Sequence, residues 1–205
     1  MSTKNEICNM ALAHLGIGKS VTDISTDRTA EADALEKFYD AARDATLRDV
    51  RWPFATKIAA LAESADSVPG AGEAWVYAYT YPSDCLRILR IHQDGRRVDS
   101  YDNATAYRIV RGATEKLICT DQETAYLEYV YQVTDEELFS EDFVIAFSYR
   151  LAIYIAPRLT GGSYGSVMQN ITSMYGYHIG RAMQNAANEA GTDSVPESEY
   201  IRARG

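Results

Sequence analysis

Apolar residues recur with one period at the two ends of the chain and another in its middle, and this switch limits the fold more than any single motif. Ile7, Met10, Ala11 and Leu15 lie three or four apart, the spacing of one helix face, and Gly16 with Gly18 ends the run. Asp27 or Thr29 can cap a second, longer helix whose Ala34, Leu35, Phe38, Ala42 and Ala45 form a stripe. Trp52-Pro53 stops it, because proline disfavours a helical residue before it. From residue 54 the period becomes two. Trp75, Tyr77, Tyr79 and Tyr81 alternate with Val76, Ala78 and Thr80, which predicts a strand with four aromatics on one face. Pro82-Ser83-Asp84 turns the chain into a strand over Leu86 to Ile91. Tyr107 to Val110 and Lys116 to Cys119 read as a hairpin around residues 111–115, and Ala125 to Val133 as a strand with Leu127, Tyr129, Tyr131 and Val133 on one face. The helical period then returns. Ser140 caps an apolar helix through Phe143, Ala146, Phe147, Leu151 and Ile155, which Pro157 kinks or ends. Residues 163–188 form a last long helix with Tyr164, Val167, Met168, Ile171, Tyr175, His178 and Ala182 on its stripe.

The layout is therefore helices over 1–51, an inserted antiparallel sheet over 52–135, helices over 136–190 and an exposed tail over 191–205. Hydrophobic residues make up 46 % and charged residues 24 % of the 205, enough to build a self-supporting core and too ordered a composition for general disorder. The net charge of -9 is shared by all three segments, so no basic module hides in an acidic chain, and tight general nucleic-acid binding is not expected. Cys8, Cys85 and Cys119 are odd in number, far apart and without C-x-x-C spacing, which fits a reduced compartment. The best apolar stretch, Phe143 to Ala156, is interrupted by Ser148, Tyr149 and Arg150, so no membrane span is expected. No signal peptide is expected either, which points to a soluble protein made in the cytoplasm.

Motifs that suggest chemistry each have a plainer structural reading. Gly16-Ile17-Gly18-Lys19-Ser20 ends like a phosphate-binding loop, but Ala13 stands where the first glycine belongs and a helix precedes it where a strand is needed. Ser83 or Cys85 with Asp84 and His92 could be imagined as a nucleophilic site, yet Pro-Ser-Asp is a turn signature and no elbow motif positions them. Asp135, Glu136, Glu137, Glu141 and Asp142 could pair as catalytic carboxylates, but acids at a helix start suit the dipole. His14, His92 and His178 lack ligand spacing, so no metal and no cofactor are expected.

Two features point away from a self-contained monomer. Between residues 163 and 188 the only charge is Arg181, while Ser166, Gln169, Asn170, Ser173, Gln184, Asn185, Gly165, Gly176 and Gly180 supply uncharged or small positions suited to close helix packing, between subunits or within one. The chain also carries 15 tyrosines, concentrated on the strands, a residue favoured at interfaces as well as in cores.

The order of segments resembles the tail tubular protein A family, the head-to-tail adaptors of tailed bacteriophages. The likeness rests on Ile7-Cys8-Asn9-Met10-Ala11-Leu12 with Leu15-Gly16, then Phe38-Tyr39-Asp40-Ala41-Ala42-Arg43-Asp44 through Leu47-Arg48 to Trp52-Pro53-Phe54-Ala55. It continues with Tyr79-Thr80-Tyr81-Pro82-Ser83-Asp84-Cys85-Leu86-Arg87 and with Leu159-Thr160-Gly161-Gly162. It covers nearly the whole chain, and none of its pieces is a catalytic motif. The resemblance implies an α+β fold in which N- and C-terminal helices make a four-helix bundle around an inserted small antiparallel β-domain, with an extended C-terminal tail. It also implies a dodecameric ring in the virion, between the portal protein and the tail nozzle or tail tube, through which double-stranded DNA passes without specific binding.

The functional expectation is accordingly a structural ring subunit and not an enzyme. A small virion-associated hydrolase using the 82–92 or 135–142 region is the alternative from another class, and a host-side interaction module is a third. Asp33, Glu36, Asp40 and Asp44 follow one helix face, as a channel lining or as an ordinary solvated surface. Tyr200, Ile201, Arg202 and Arg204 combine apolar and basic side chains as binding segments do, and are the expected partner-binding residues.

Overall fold

The computed structural model describes residues 3–66, 75–93, 105–161 and 165–189. Within them the protein is α+β, with four α-helices and two three-stranded antiparallel sheets. Helix α1 spans Lys4–His14 and is fixed at both ends. Thr3 accepts from the Glu6 amide while the Glu6 carboxylate accepts from the Thr3 amide, a reciprocal cap. At the other end Gly16, at φ 73°, lets its own amide reach the Ala13 carbonyl and the Ile17 amide reach Leu12. Helix α2 spans Ala30–Asp49, and it is Thr29, not Asp27, that caps it. Helix α3 spans Glu141–Leu159 behind the Ser140 cap, and helix α4 spans Gly165–Glu189. Pro157 neither ends α3 nor stands outside it; it sits in the last turn.

The middle of the chain forms two sheets where one was expected. Strands β1 (Thr56–Ala60), β6 (Ala125–Tyr131) and β3 (Cys85–Gln93) pair in the order β1-β6-β3, and β2 (Tyr77–Thr80), β5 (Lys116–Thr120) and β4 (Tyr107–Arg111) in the order β2-β5-β4. The β4–β5 hairpin closes with Arg111 opposite Lys116. Two irregularities in β3, between Cys85 and Arg87 and between Ile88 and Arg90, break its alternation. They turn Leu86 and Leu89 toward the helices while Ile88 and Ile91 face the other sheet.

The layers follow from these pairings. Helix α3 is the hub, packed by α1, α2 and α4. Its Phe143, Phe147, Leu151 and Ile155 share a core with Trp52, Ala55, Val130 and Val133, so the β1-β6-β3 sheet lies on the helical layer. Its far side meets the second sheet through Leu127, Tyr129, Ile118 and Tyr79, and Leu117, Cys119 and Ala78 lie beyond. Strand β6 is buried on both faces because it is the centre of the middle layer. Tyr77 and Tyr81 pack with Tyr79, whereas Trp75, ahead of the strand, packs with Ala78 on the opposite side, so three aromatics and not four share that face.

Candidate subunit interface

Helix α4 is the least embedded of the four helices. Along its length only Ile171, Ile179 and Ala182 are buried, and among the described residues its hydrogen bonds to the other helices run through Tyr175 and Asn185. The Tyr175 hydroxyl donates to Asp49 Oδ2 at 2.5 Å and accepts from Arg150 Nη2 at 2.6 Å, and Arg150 also pairs with Asp49, which joins α2, α3 and α4. Asn185 Nδ2 donates to Asp142 Oδ2 at 2.7 Å. Burial pushes the Tyr175 hydroxyl up, so it stays protonated as a donor.

The opposite face of α4 looks outward. Ser166, Gln169, Ser173, Gly176, Tyr177 and Gln184 are exposed there, with Tyr177 at 56 % and Met183 beside them at 47 %. A helix bathed in water ordinarily carries charge on that side. Gly176 and Gly180 each cost roughly 0.5–1 kcal/mol against alanine in a helix interior. A Cβ at either position meets nothing within 4 Å among the described residues, so nothing there requires glycine. The outward face is thus smooth, carries aromatic and thioether surface, and has Arg181, 5.9 Å from the centre of the Tyr177 ring, as its one charge among the described residues, the composition of a contact patch.

The acidic row falls on one face of α2, as its spacing predicts, but it is less acidic than its sequence suggests. Asp40 and Asp44 both pair with Arg43, at 2.8 and 2.9 Å, and Arg43 is itself buried. Asp44 also accepts from Gln132 Nε2 at 2.7 Å, and Asp33 lies 3.7 Å from Arg158. Glu36 is exposed. Tyr200, Ile201, Arg202 and Arg204 lie outside the described residues. The last described residue, Glu189, borders a cleft of about 290 Å³ between the end of α4 and the β1 edge, with Arg51, Lys57 and Ile58 on its other wall.

The residues weighed for catalysis are dispersed. Ser83 is exposed in the turn before β3. The Asp84 carboxylate is held below its ordinary range although burial opposes this, because Lys57 Nζ at 2.5 Å and the Tyr129 hydroxyl at 3.1 Å donate to it. Burial pushes the Cys85 thiol up. Cys85 and His92 stand near opposite ends of β3, about 23 Å apart at some 3.3 Å per residue. His92 lies instead 2.9 Å from Glu128, which also binds Arg51 and, at 3.2 Å, Arg90. Glu128 is 3 % exposed, and its buried network was not anticipated; the only sign is one acid inside an apolar strand. The acids of 135–142 cap and start helical turns: Asp135 accepts from the Glu137 amide at 3.0 Å and Glu136 from the Tyr39 hydroxyl at 3.2 Å. Lys19 of the glycine-rich segment pairs with Glu31 at 2.9 Å. Among the described residues no group of three His, Cys, Asp or Glu could hold a metal ion, and no helix is long and apolar enough to cross a membrane.

Comparison with models of known families and with curated proteins finds no match to the chain.

Proposed function

We propose that the protein is a structural ring subunit, the head-to-tail adaptor of a tailed bacteriophage, which continues the DNA channel between portal and tail. The observation that carries this reading is the outward face of α4, uncharged apart from Arg181 near its edge, bearing exposed Tyr177 and Met183, and holding two helix-interior glycines at which an added Cβ would meet nothing within 4 Å among the described residues. Small residues without charge let two helices approach closely, and a ring needs one such heterologous contact per subunit. In this reading the four helices act as one bundle, the two sheets as an inserted β-domain and residues 191–205 as an extended arm. The resemblance in segment order supplies the phage role. The net charge of -9 suits a channel that must release the DNA it passes.

In the assembled ring, Asp33, Glu36, Asp40 and Asp44 would line the channel, and Tyr200, Ile201, Arg202 and Arg204 would grip the portal or the neighbouring subunit. The subunit is made in the host cytoplasm and resides at the head–tail junction. Size-exclusion chromatography with light scattering, run with and without the portal protein of the same virus, tests the proposal. A large complex of many copies on the portal supports it. A protein that stays monomeric and unbound in both runs refutes it and returns weight to a virion-associated hydrolase.

A further inference from the structure

Where the end of α2 packs against β3, three guanidiniums stand around one carboxylate. Asp49, the last residue of α2, accepts from the Tyr175 hydroxyl of α4 and pairs with Arg150 of α3, so its Oδ2 already serves two donors. Arg48, beside it in the chain, is exposed, and Arg87 of β3 is half-buried. The charges of both Arg48 and Asp49 act on the Arg87 guanidinium. Among the described residues neither Arg48 nor Arg87 has a carboxylate within ion-pair distance, whereas the buried Arg43, earlier on α2, has both Asp40 and Asp44. The Arg87 Nε–H is shut off from solvent and has no acceptor among the described residues, and the same holds for the Arg150 Nε–H. A guanidinium cannot give up its proton to escape this, and an unmet donor in a native structure marks the place of a water or an ion.

We propose that Arg87 and Arg48 form a binding site for a single phosphate-sized oxyanion at the junction of α2 and β3. Water would supply an acceptor but no charge, and Asp49 is held by Arg150 and Tyr175. A tetrahedral oxyanion has acceptor oxygens in several directions, so one of them can take the Arg87 Nε–H while its charge is shared with Arg48. Burial, opposed by Asp49 and reinforced by Arg48, holds the Arg87 guanidinium below its ordinary value, a direction that a bound anion reverses.

The recession of the donor selects a small ion over a polymer. A free phosphate reaches the Nε–H of a half-buried arginine, whereas a duplex presents its phosphates on a broad surface that a chain of net charge -9 repels. The bound ion joins α2 to the sheet, as the contacts among Asp49, Arg150 and Tyr175 join α2 to α3 and α4. The site does not depend on the chain forming a ring.

The test titrates the full chain with inorganic phosphate at neutral pH, with chloride adjusted to hold the ionic strength constant, and follows the arginine Nε–H signals by proton–nitrogen NMR. The Arg87 signal is expected to move along a saturating curve with a dissociation constant of about 1 mM or below. Arg87→Lys keeps the charge but loses the Nε–H and the fork, and is expected to weaken binding about tenfold, read from the melting temperature against phosphate concentration. Arg48→Gln, at an exposed position, is expected to fold and to weaken binding by a similar factor, while Arg28→Gln, exposed on the loop before α2, is expected to bind as the native chain does. Absence of a saturating Arg87 shift, native-like binding in folded Arg87→Lys or Arg48→Gln, or a shift produced by a duplex oligonucleotide and not by phosphate would each overturn the site. If Arg87→Lys does not fold, Arg48→Gln and the titration of the native chain still decide the matter.

Discussion

Replacing Trp52 tests how the helical layer is joined to the first sheet. Its indole is 2 % exposed, meets Phe143 edge-on at 5.1 Å and lies 6.0 Å from Phe54. Its Nε1 donates to the Thr46 carbonyl at 3.0 Å, in the last turn of α2 where helix carbonyls lack partners of their own. Trp52→Ala removes the ring from a close-packed site, a loss of about 3–5 kcal/mol, and strands the carbonyl, about 1–3 kcal/mol more if water does not reach it. Trp52→Phe keeps most of the volume and loses mainly the hydrogen bond, so it is expected to cost about 1–3 kcal/mol. Against a total stability of about 5–15 kcal/mol, the alanine variant stands near the limit of folding. Urea unfolding followed by circular dichroism is expected to order the midpoints native, Trp52→Phe, Trp52→Ala. An alanine variant within about 1 kcal/mol of the native protein would refute this picture of the joint.

Three further outcomes are expected, the last of them resting on the proposed function. Glu128→Ala leaves the buried His92 without its carboxylate and is expected to cost about 3 kcal/mol, the low end for a broken buried pair because Arg51 and Arg90 can reach water; urea midpoints check it. Burial pushes the Cys8 thiol up to about 12, so Ellman's reagent at pH 8 should leave Cys8 untouched until the protein is unfolded; rapid reaction of native Cys8, identified by peptide mapping, would contradict its placement in the core. Removing residues 191–205 should leave helicity and melting temperature nearly unchanged while weakening capture by the portal, measured by co-sedimentation; equal capture would make the tail a frayed end.

Local signals carried the helices and most strands, while features made by distant partners were hidden. Ser140, and Thr29 as one of two candidates, are caps that act within three residues, and Gly16 ends α1 by its own conformation, so these boundaries could be read directly, whereas the Thr3–Glu6 cap of α1 emerges from the structure. Strand β1 could not. Thr-Lys-Ile-Ala-Ala has weak alternation and becomes a strand because β6, far along the chain, pairs with it. The division into two sheets was equally invisible, since it depends on which strands pair. On α2 the spacing gave the acidic face, but Arg158 and Gln132, which partly satisfy it, come from elsewhere. The uncharged face of α4 was legible as a pattern; that it points outward required the packing of α4 on α3.

If the outward face of α4 is a contact between subunits, as proposed, substitutions at Gly176 and Gly180 should move stability and assembly with opposite signs. Gly176→Ala and Gly180→Ala should each stabilise the free chain by about 0.5–1 kcal/mol, since the added methyl meets nothing within 4 Å among the described residues. Gly176→Leu should fold but prevent close helix approach between subunits. Native mass spectrometry of portal complexes formed with the native chain and with Gly176→Leu is the direct measurement. A ring of many copies is expected for the native chain, and its loss in a folded variant. A full ring formed by Gly176→Leu would contradict the assignment of this face.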